Sequence, residues 1–215
     1  MFGERMTRRE LKRFRRHGLD RRARRLVEAL AEAAPLERAT TLEIGAGIGG
    51  LSLALLERGV ARATTIDAAP ATAAVARALA AERGVADRLD VRVGDFAEQP
   101  AGDRYDAVVL DRVVCCYPDW RALLAPAAGT ARRAIAMTYP RNVWYMRLFT
   151  RVLNATMAAL RRQYRFYIHP APAMREELRR HGLEPRVAGH EFVWELLVAV
   201  RRTPQAGDEA AARPA

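Results

Sequence analysis

Cysteine, lysine and long apolar runs are scarce in this sequence of 215 residues. Its two cysteines, Cys115 and Cys116, are neighbours. Neighbouring cysteines bridge each other only with strain, so a disulfide framework is excluded and a reducing, cytoplasmic location is expected.

No stretch reaches the roughly 18 uncharged residues of a membrane-spanning helix, and the Arg-crowded N-terminus does not resemble a secretory signal. Without Cys-x-x-Cys spacing or a histidine cluster, no metal site is predicted.

The charge of the chain is concentrated in two segments. Half of the residues are hydrophobic and 28% are charged, which is typical of one globular domain, with or without an appendage. The net charge is +11; residues 1–25 hold 11 Lys and Arg against three acids, and residues 141–180 hold nine Arg against two acids. These segments indicate two cationic surfaces facing a phosphate- or carboxylate-bearing substrate, RNA or an acidic membrane. Solvated helix faces are the alternative interpretation.

Strands and helices are predicted to alternate along most of the chain. A first helix covers 5–33, is broken at Gly18 and ends before Pro35. Strands are predicted at 41–44, 63–66, 89–93, 105–110, 134–139, 185–190 and 193–201, with helices at 51–56, 71–82, 120–133 and 170–180. This order indicates an α/β fold: a Rossmann-like, doubly wound sheet of seven strands, mostly parallel with an antiparallel last strand, and helices on both faces.

An aromatic segment interrupts the alternation after the fifth strand. Residues 141–163 predict a long helix with one narrow polar stripe, and apolar side chains occupy most of its remaining surface. So wide an apolar face must cover something. We expect a helical lid over the substrate, within an insertion at 141–169. The alternatives are a helix lying on a membrane surface and plain core packing.

A glycine-rich loop is the sharpest local motif. It follows the first strand as Gly45-Ala46-Gly47, with Gly49 and Gly50 after it, and its glycines let a ligand approach the backbone closely. The spacing also satisfies the dinucleotide pattern GxGxxG, which is a weak match by itself. Glu43 lies two residues before Gly45, and a carboxylate there disfavours a diphosphate and favours a cationic ligand.

Four acids follow successive predicted strands. Glu43, Asp67, Asp95 and Asp111 each fall at or near a strand's carboxyl end, the edge where open parallel sheets bind ligands. A row of carboxylates suits a ligand with positive groups and hydroxyls, such as S-adenosylmethionine. Asp67 has the spacing of an acid that binds ribose hydroxyls, and Asp95 can accept from the adenine amine with Phe96 against the ring. Each acid alone is equally compatible with a helix cap or a turn.

The motif series resembles that of the class I S-adenosylmethionine-dependent methyltransferases. The segments LEIGAGIGG, TTID, VGDF and YDAVVLD carry the resemblance, over about residues 38–140. It implies S-adenosylmethionine as cofactor and the following contacts with it. The implied cofactor-binding residues are Glu43, Gly45, Ala46, Gly47, Asp67, Ala68, Asp95 and Phe96. A narrower similarity in layout, DRVVCCYPD then TYPRN and FYIHP, links the chain to magnesium-protoporphyrin O-methyltransferases, but Cys116 stands where those have His before Tyr.

Residues that should face the transferred methyl group supply the candidates for chemistry. Asp111 is a candidate base or substrate-orienting group, and His169 is a second catalytic candidate. The predicted substrate-binding residues are Arg112, Tyr117, Tyr139 and Arg141. Arg112 and Arg141 could clamp a substrate carboxylate. The cysteines are expected to pack as small apolar groups near the pocket.

Together these patterns predict a methyltransferase acting on a small or medium-sized, anionic and apolar metabolite, with O-methylation favoured. The alternatives are an RNA methyltransferase that uses the basic segments and a non-enzymatic sensor that keeps the fold. The expected organisation is a basic helical arm at 1–35, a catalytic domain at 36–203 and a disordered tail at 204–215. The expected partner is a small-molecule substrate; peripheral membrane contact is a further candidate, nucleic acid is disfavoured, and the oligomeric state is not specified.

Overall fold

The computed structural model describes residues 4–100, 102–162 and 164–202, so the predicted tail lies outside the described residues. The chain begins with two helices, α1 (Glu4–His17) and α2 (Arg21–Ala33). Gly18 separates them with a left-handed φ of +66°, which confirms the predicted break. Asp20 then caps α2, because its side chain accepts a hydrogen bond of 2.8 Å from the Ala23 amide.

Seven strands form one mixed sheet. They are β1 (Thr40–Ile44), β2 (Arg62–Asp67), β3 (Leu89–Val93), β4 (Tyr105–Asp111), β5 (Ala131–Pro140), β6 (Leu183–Glu191) and β7 (Trp194–Arg201). The spatial order is β3-β2-β1-β4-β5-β7-β6. Strands β1 to β5 pair in parallel, whereas β7 runs antiparallel to β5 and to β6. The predicted fold class, including the antiparallel last strand, is therefore confirmed.

The remaining helices connect the strands and cover both faces of the sheet. They are α3 (Gly50–Glu57), α4 (Pro70–Glu82), α5 (Trp120–Thr130), α6 (Trp144–Ala159) and α7 (Ala171–Arg180). Alternate residues of each central strand point to opposite faces. In β4, Val109 packs with α2 and α3 in one core, whereas Val108 and Leu110 pack with α5 and α7 in the other. The reversal of strand order at β1 and β4 places a crevice at their carboxyl ends.

Helix α6 differs from its prediction. Within it only Met146 and Thr150 are buried, while Trp144, Leu148 and Val152 are more than half exposed. The underside contacts a small cluster around Phe166, so α6 does pack against the domain. Most of the apolar face points outward in the described part of the chain, so core packing does not account for the whole face, and the lid over the substrate stays a prediction. None of the described helices is both long and apolar enough to cross a membrane.

The burial of a side chain predicts how much its replacement by alanine lowers the stability of the fold. Leu124 of α5 is fully buried, so Leu124→Ala should lower the free energy of unfolding by about 2–5 kcal/mol through lost burial and a cavity. Leu148→Ala, the matched control on exposed α6, should change it by less than about 0.5 kcal/mol. Chemical denaturation measures both, and equal effects of the two substitutions would contradict the assignment of α6 to the surface.

Candidate active site

A crevice of about 440 Å³ opens at the carboxyl ends of β1, β2 and β4. Because β1 lies between β2 and β4, the crevice has two ends. Residues 43–48, 50–51 and 66–69 line what we call the glycine-loop end, towards β2. Residues 111–113 and 115–117 line the acceptor end, towards β4, together with Tyr164, Phe166 and Trp194. The two predicted groups of residues therefore meet in one space.

In the loop after β1, glycines leave the backbone unshielded by side chains. Gly45, Gly47 and Gly49 have φ values of +66°, +54° and +73°, a region that side chains other than glycine rarely tolerate. A Cβ at Gly45 would also overlap the Val113 side chain. The Gly45 amide donates a 2.7 Å hydrogen bond to the Ile66 carbonyl, which ties the loop to β2. A ligand can therefore lie directly against this backbone.

Glu43 is buried beneath the loop rather than free on the rim. It is 4% exposed, and its Oε2 accepts hydrogen bonds from the Ser52 amide at 2.9 Å and from the Ser52 hydroxyl at 2.6 Å. Glu43 thereby accepts from a backbone amide in the first turn of α3, where the cap residue Gly49 has no side chain that could do so. Burial raises the pKa of Glu43 to about 8, although the Ser52 bonds oppose this shift. A cation nearby would stabilise its ionised form.

The next two acids also hold loops in place. Asp67 accepts from the Gly47 and Ala69 amides, both at 2.8 Å, so it joins the end of β2 to the glycine loop. Asp95 accepts from the Ala97 amide at 2.9 Å and from the Tyr117 hydroxyl at 2.6 Å. The predicted Ala46, Ala68 and Phe96 all line the crevice. Carboxylates, bare amides and an aromatic wall are the groups that a cationic, ribose-bearing cofactor would require, so the residues present fit it.

Helix α1 contributes a fifth carboxylate that the sequence analysis missed. Glu10, Arg13 and Phe14 line the crevice, and a Cβ placed on Gly47 would lie 3.7 Å from Glu10 Oε2. The side chain of Glu10 therefore lies over the glycine loop, and burial raises its pKa. The sequence did contain a signal for it: Glu10 is an acid in an arginine-rich segment, and it precedes the buried Phe14 by four residues, so the two share a helix face.

Asp111 is paired with an arginine from α2. Its Oδ1 accepts from an Arg22 guanidinium nitrogen and, at 2.6 Å, from the Thr138 hydroxyl. Arg22 is buried, also bonds Asp20 at 2.9 Å, and lies over the Trp194 ring with 5.7 Å to its centroid. Sequence analysis missed Arg22, although it precedes the buried Leu26 by four residues and so shares its helix face. The pairing makes Asp111 an anchor that joins the end of β4 to α2.

The acceptor end is aromatic and carries one accessible guanidinium of its own. Arg112 is 43% exposed at its side chain, and its Nε lies 3.7 Å from Asp111 Oδ2. Tyr117, Tyr164 and Trp194 line the same end, and only Tyr117 of these was predicted. Cys115 is buried and Cys116 half-buried, both as free thiols, with their Sγ atoms turned to the Arg112 carbonyl. Their placement beside the crevice agrees with the packing role expected for them.

Four predicted residues lie outside the described crevice lining: Asp95, whose hydrogen bonds are given above, and three further side chains. His169 Nε2 lies within hydrogen-bond distance of the Val114 and Tyr117 carbonyls, at 3.1 and 2.9 Å, and burial lowers its pKa. Tyr139 is buried and donates its hydroxyl proton to Glu195. Arg141 donates to the Phe192 carbonyl at 3.5 Å. His169 and Tyr139 are buried and all three side chains make local contacts, while the roles predicted for them stay predictions.

Comparison with known proteins agrees with this geometry. Residues 41–133 match the family model described as a methyltransferase domain. A release factor glutamine methyltransferase from Cereibacter sphaeroides is 37% identical over an alignment of 134 residues, and the match covers 54% of this chain and 48% of the relative. A rice chloroplast protein, named as a probable tocopherol O-methyltransferase, is 35% identical over 125 residues, 54% of this chain and 34% of its own length. The chain therefore spans half or less of the length of these curated relatives.

A solved structure shows the same fold over most of both chains. Magnesium protoporphyrin IX methyltransferase from Synechocystis PCC 6803, with bound S-adenosylhomocysteine, superposes with a TM-score of 0.68 at 20% identity. The match covers 84% of this chain and 82% of that protein. The layout similarity seen in the sequence is thus confirmed at the level of the fold.

The raised pKa of Glu43 predicts that cofactor binding is linked to a proton. Near neutral pH the free protein holds Glu43 mostly protonated, and a bound cation favours the carboxylate, so binding should release a proton. Affinity for S-adenosylmethionine should therefore rise by about tenfold from about pH 6 to about pH 8. Calorimetry in buffers of different ionisation enthalpy measures the protons released.

Glu43→Gln should bind the cofactor more weakly and lose that share of the proton release. The variant also separates the contribution of Glu43 from any titration of the cofactor's own amine. Glu57→Gln is the matched control, because Glu57 is exposed at the end of α3 and pairs only with Arg83 among the described residues. Equal affinity and equal proton release in Glu43→Gln and the unmodified protein would show that Glu43 does not sense the ligand's charge.

The Arg22–Asp111 pair predicts a stability role for Asp111. Asp111→Asn leaves the buried Arg22 guanidinium with Asp20 as its remaining partner, so the free energy of unfolding should fall by about 1–3 kcal/mol, the cost of one lost charge-assisted contact. The matched control Asp103→Asn removes an exposed carboxylate 3.5 Å from Arg92 and should cost less than about 1 kcal/mol. Denaturant titrations decide this, and full stability in Asp111→Asn would contradict the anchoring role.

Proposed function

We propose that the chain, whose residues 41–133 match a methyltransferase-domain model, is a class I S-adenosylmethionine-dependent methyltransferase, and that it methylates a small or medium-sized metabolite that is apolar and anionic, with oxygen as the favoured acceptor atom. One observation carries the proposal: the crevice combines a carboxylate-lined glycine loop with an aromatic acceptor end that holds Arg112. The first half suits a cation, and the second suits an apolar molecule with a negative group.

The proposed reaction depends mainly on placement. The cofactor supplies a methyl group on a sulfonium, whose positive charge disappears as the methyl is transferred. Glu43, Asp67 and the bare loop would fix the cofactor, and Asp95 with Phe96 would hold its adenine. The aromatic walls of the acceptor end would exclude water and align the acceptor oxygen with the methyl carbon, which supplies much of the rate in such a displacement.

The acceptor end favours an oxygen that is already ionised. The charge of Asp111 is balanced by its ion pair with Arg22, and no histidine lines the crevice in the part of the chain that the structure describes. A carboxylate acceptor needs no general base, whereas a neutral hydroxyl does. Arg112 would hold that carboxylate by paired hydrogen bonds. The name of the rice relative, an O-methyltransferase, is consistent with oxygen as acceptor.

The proposal assigns the arm and the catalytic domain to a single site. Helices α1 and α2, within the predicted arm at 1–35, contribute Glu10 and Arg22 to the crevice, while the predicted catalytic domain from residue 36 contributes the sheet edge. The arm would therefore close the cofactor's entrance rather than form a separate module.

The contacts of the first basic segment and of the acceptor end make RNA a less favoured substrate. Five arginines of the first basic segment already pair within the protein: Arg13 with Asp20, Arg15 with Glu82, Arg22 with Asp111, and both Arg21 and Arg25 with Glu191. Their charge is partly neutralised, which weakens an electrostatic surface for phosphates. The aromatic side chains of the acceptor end line a crevice instead of forming an open stacking surface.

Arg112 and Arg141 provide a matched test of the acceptor site. Both were sequence candidates for binding a carboxylate, but only Arg112 lines the crevice. With a carboxylate acceptor found by labelled-methyl transfer into a metabolite extract, Arg112→Gln should raise KM about tenfold or more, the cost of one charge-assisted contact. Arg141→Gln should leave KM unchanged. Equal KM values in both variants would exclude Arg112 as the carboxylate ligand, and labelling of RNA alone would overturn the proposed substrate class.

A further inference from the structure

Helix α6 and the turn between β6 and β7 form one exposed apolar surface. Trp144, Leu148 and Val152 recur every fourth residue and are 70%, 54% and 58% exposed, and Phe149 is 53% exposed on the adjacent row. Phe192, at 87% exposed, occupies the β6–β7 turn. Arg141, three residues before α6, donates to the Phe192 carbonyl, so the turn lies beside the start of the helix. We call these five apolar residues the α6 surface.

Positive charge borders the α6 surface on the helix side, and Glu191, the acid beside Phe192, is already paired with Arg21 and Arg25. Residues 141–175 contain seven Arg and neither Asp nor Glu. Arg147 and Arg151 form the helix row next to Trp144, Leu148 and Val152. In the described ranges, neither Arg147 nor Arg151 makes an ion pair with a described carboxylate, and Arg165 donates only to the carbonyls of Arg162 and Tyr164. The cations beside this surface are thus open to an external anion.

We propose that the α6 surface binds the face of an anionic lipid bilayer. Large apolar and aromatic side chains beside a row of arginines are typical of helices that lie in the membrane interface. Exposed Trp and Tyr prefer the depth of the lipid headgroups, and arginines attract anionic headgroups. Residues 141–175 contain no acidic side chain, and the arginine pairs of Glu191 compensate the acid beside Phe192, so little repulsion opposes an anionic surface.

The position of α6 relative to the crevice agrees with this assignment. Its underside contacts Phe166 and Cys115 through Met146 and Leu153, and Phe166 and Cys115 also line the acceptor end. The membrane-facing helix is therefore separated from the acceptor end by one layer of side chains. An apolar acceptor dissolved in the bilayer would enter the crevice from that side; this last step alone rests on the proposed function, whereas lipid binding does not.

Vesicle binding tests the proposal without any activity measurement. The full chain should sediment with vesicles of equal parts phosphatidylcholine and phosphatidylglycerol, and at least about fivefold less with phosphatidylcholine alone. Binding should weaken when salt rises from about 0.05 M to about 0.5 M, because salt screens the arginines. Tryptophan fluorescence should shift to the blue on binding, and Trp144→Phe should abolish most of that shift, since Trp120 is buried and Trp194 lies within the crevice.

A pair of valine substitutions supplies the matched control. Val152→Glu places a carboxylate in the α6 surface and should reduce vesicle binding at least about fivefold. Val187→Glu makes the same change at an exposed site of β6, where Val187 is 36% exposed, and should leave vesicle binding unchanged. Both positions are exposed, so neither variant should lose its fold, and thermal unfolding checks this.

Three results would overturn the proposal. They are failure to bind the anionic vesicles, equal binding by Val152→Glu and the unmodified protein, and a concentration-dependent dimer that Val152→Glu dissolves while vesicles stay unbound. The last result would assign the α6 surface to a second copy of this chain. If the unmodified protein bound anionic vesicles but transferred no methyl group to any metabolite, the proposed function would be contradicted and the lipid-binding proposal would still hold.

Discussion

A desolvated row of carboxylates at one sheet edge is the constraint on which the rest of the molecule depends. Glu43, Asp67 and Asp111 are held at the ends of three neighbouring strands, where mutual repulsion and lost hydration oppose their charges. Each is compensated differently: Glu43 by Ser52 and a raised pKa, Asp67 by loop amides, and Asp111 by Arg22. These compensating bonds are also what shape the glycine loop and fix α2 against the crevice, so the fold and the candidate site share their determinants.

Much of the fold and of the cofactor end could be predicted from the sequence because short-range patterns encode them. The strand from 105 to 110 and the break at Gly18 follow from alternation and from glycine's backbone freedom, and the structure differs by a few residues at most. The start of β5 was misplaced by three residues, since Ala131 and its two following arginines do not have a strand-like composition. The glycine loop could be located because its spacing is local.

The acceptor end was harder to predict because its contacts join distant parts of the chain. Asp111 was interpreted as a base from its place after β4, but its partner Arg22 comes from a helix 89 residues earlier. Tyr139 and Arg141 follow β5 as expected, yet their side chains meet Glu195 and the Phe192 carbonyl of the antiparallel strand pair. Periodicity predicts which face of an element is apolar, but it does not say what that face meets, and α6 illustrates this limit.

The buried Arg22 has a consequence for how the chain can be divided. A protein shortened to begin at residue 36 would retain the whole sheet and its sequence motifs, and by motif content it would look complete. It would nevertheless lose the countercharge of Asp111, the carboxylate that lies over Gly47 and the helix that fills one side of the core. The boundary drawn from charge composition therefore cuts through one set of contacts, because side chains from both of the first two helices line the crevice of the predicted catalytic domain.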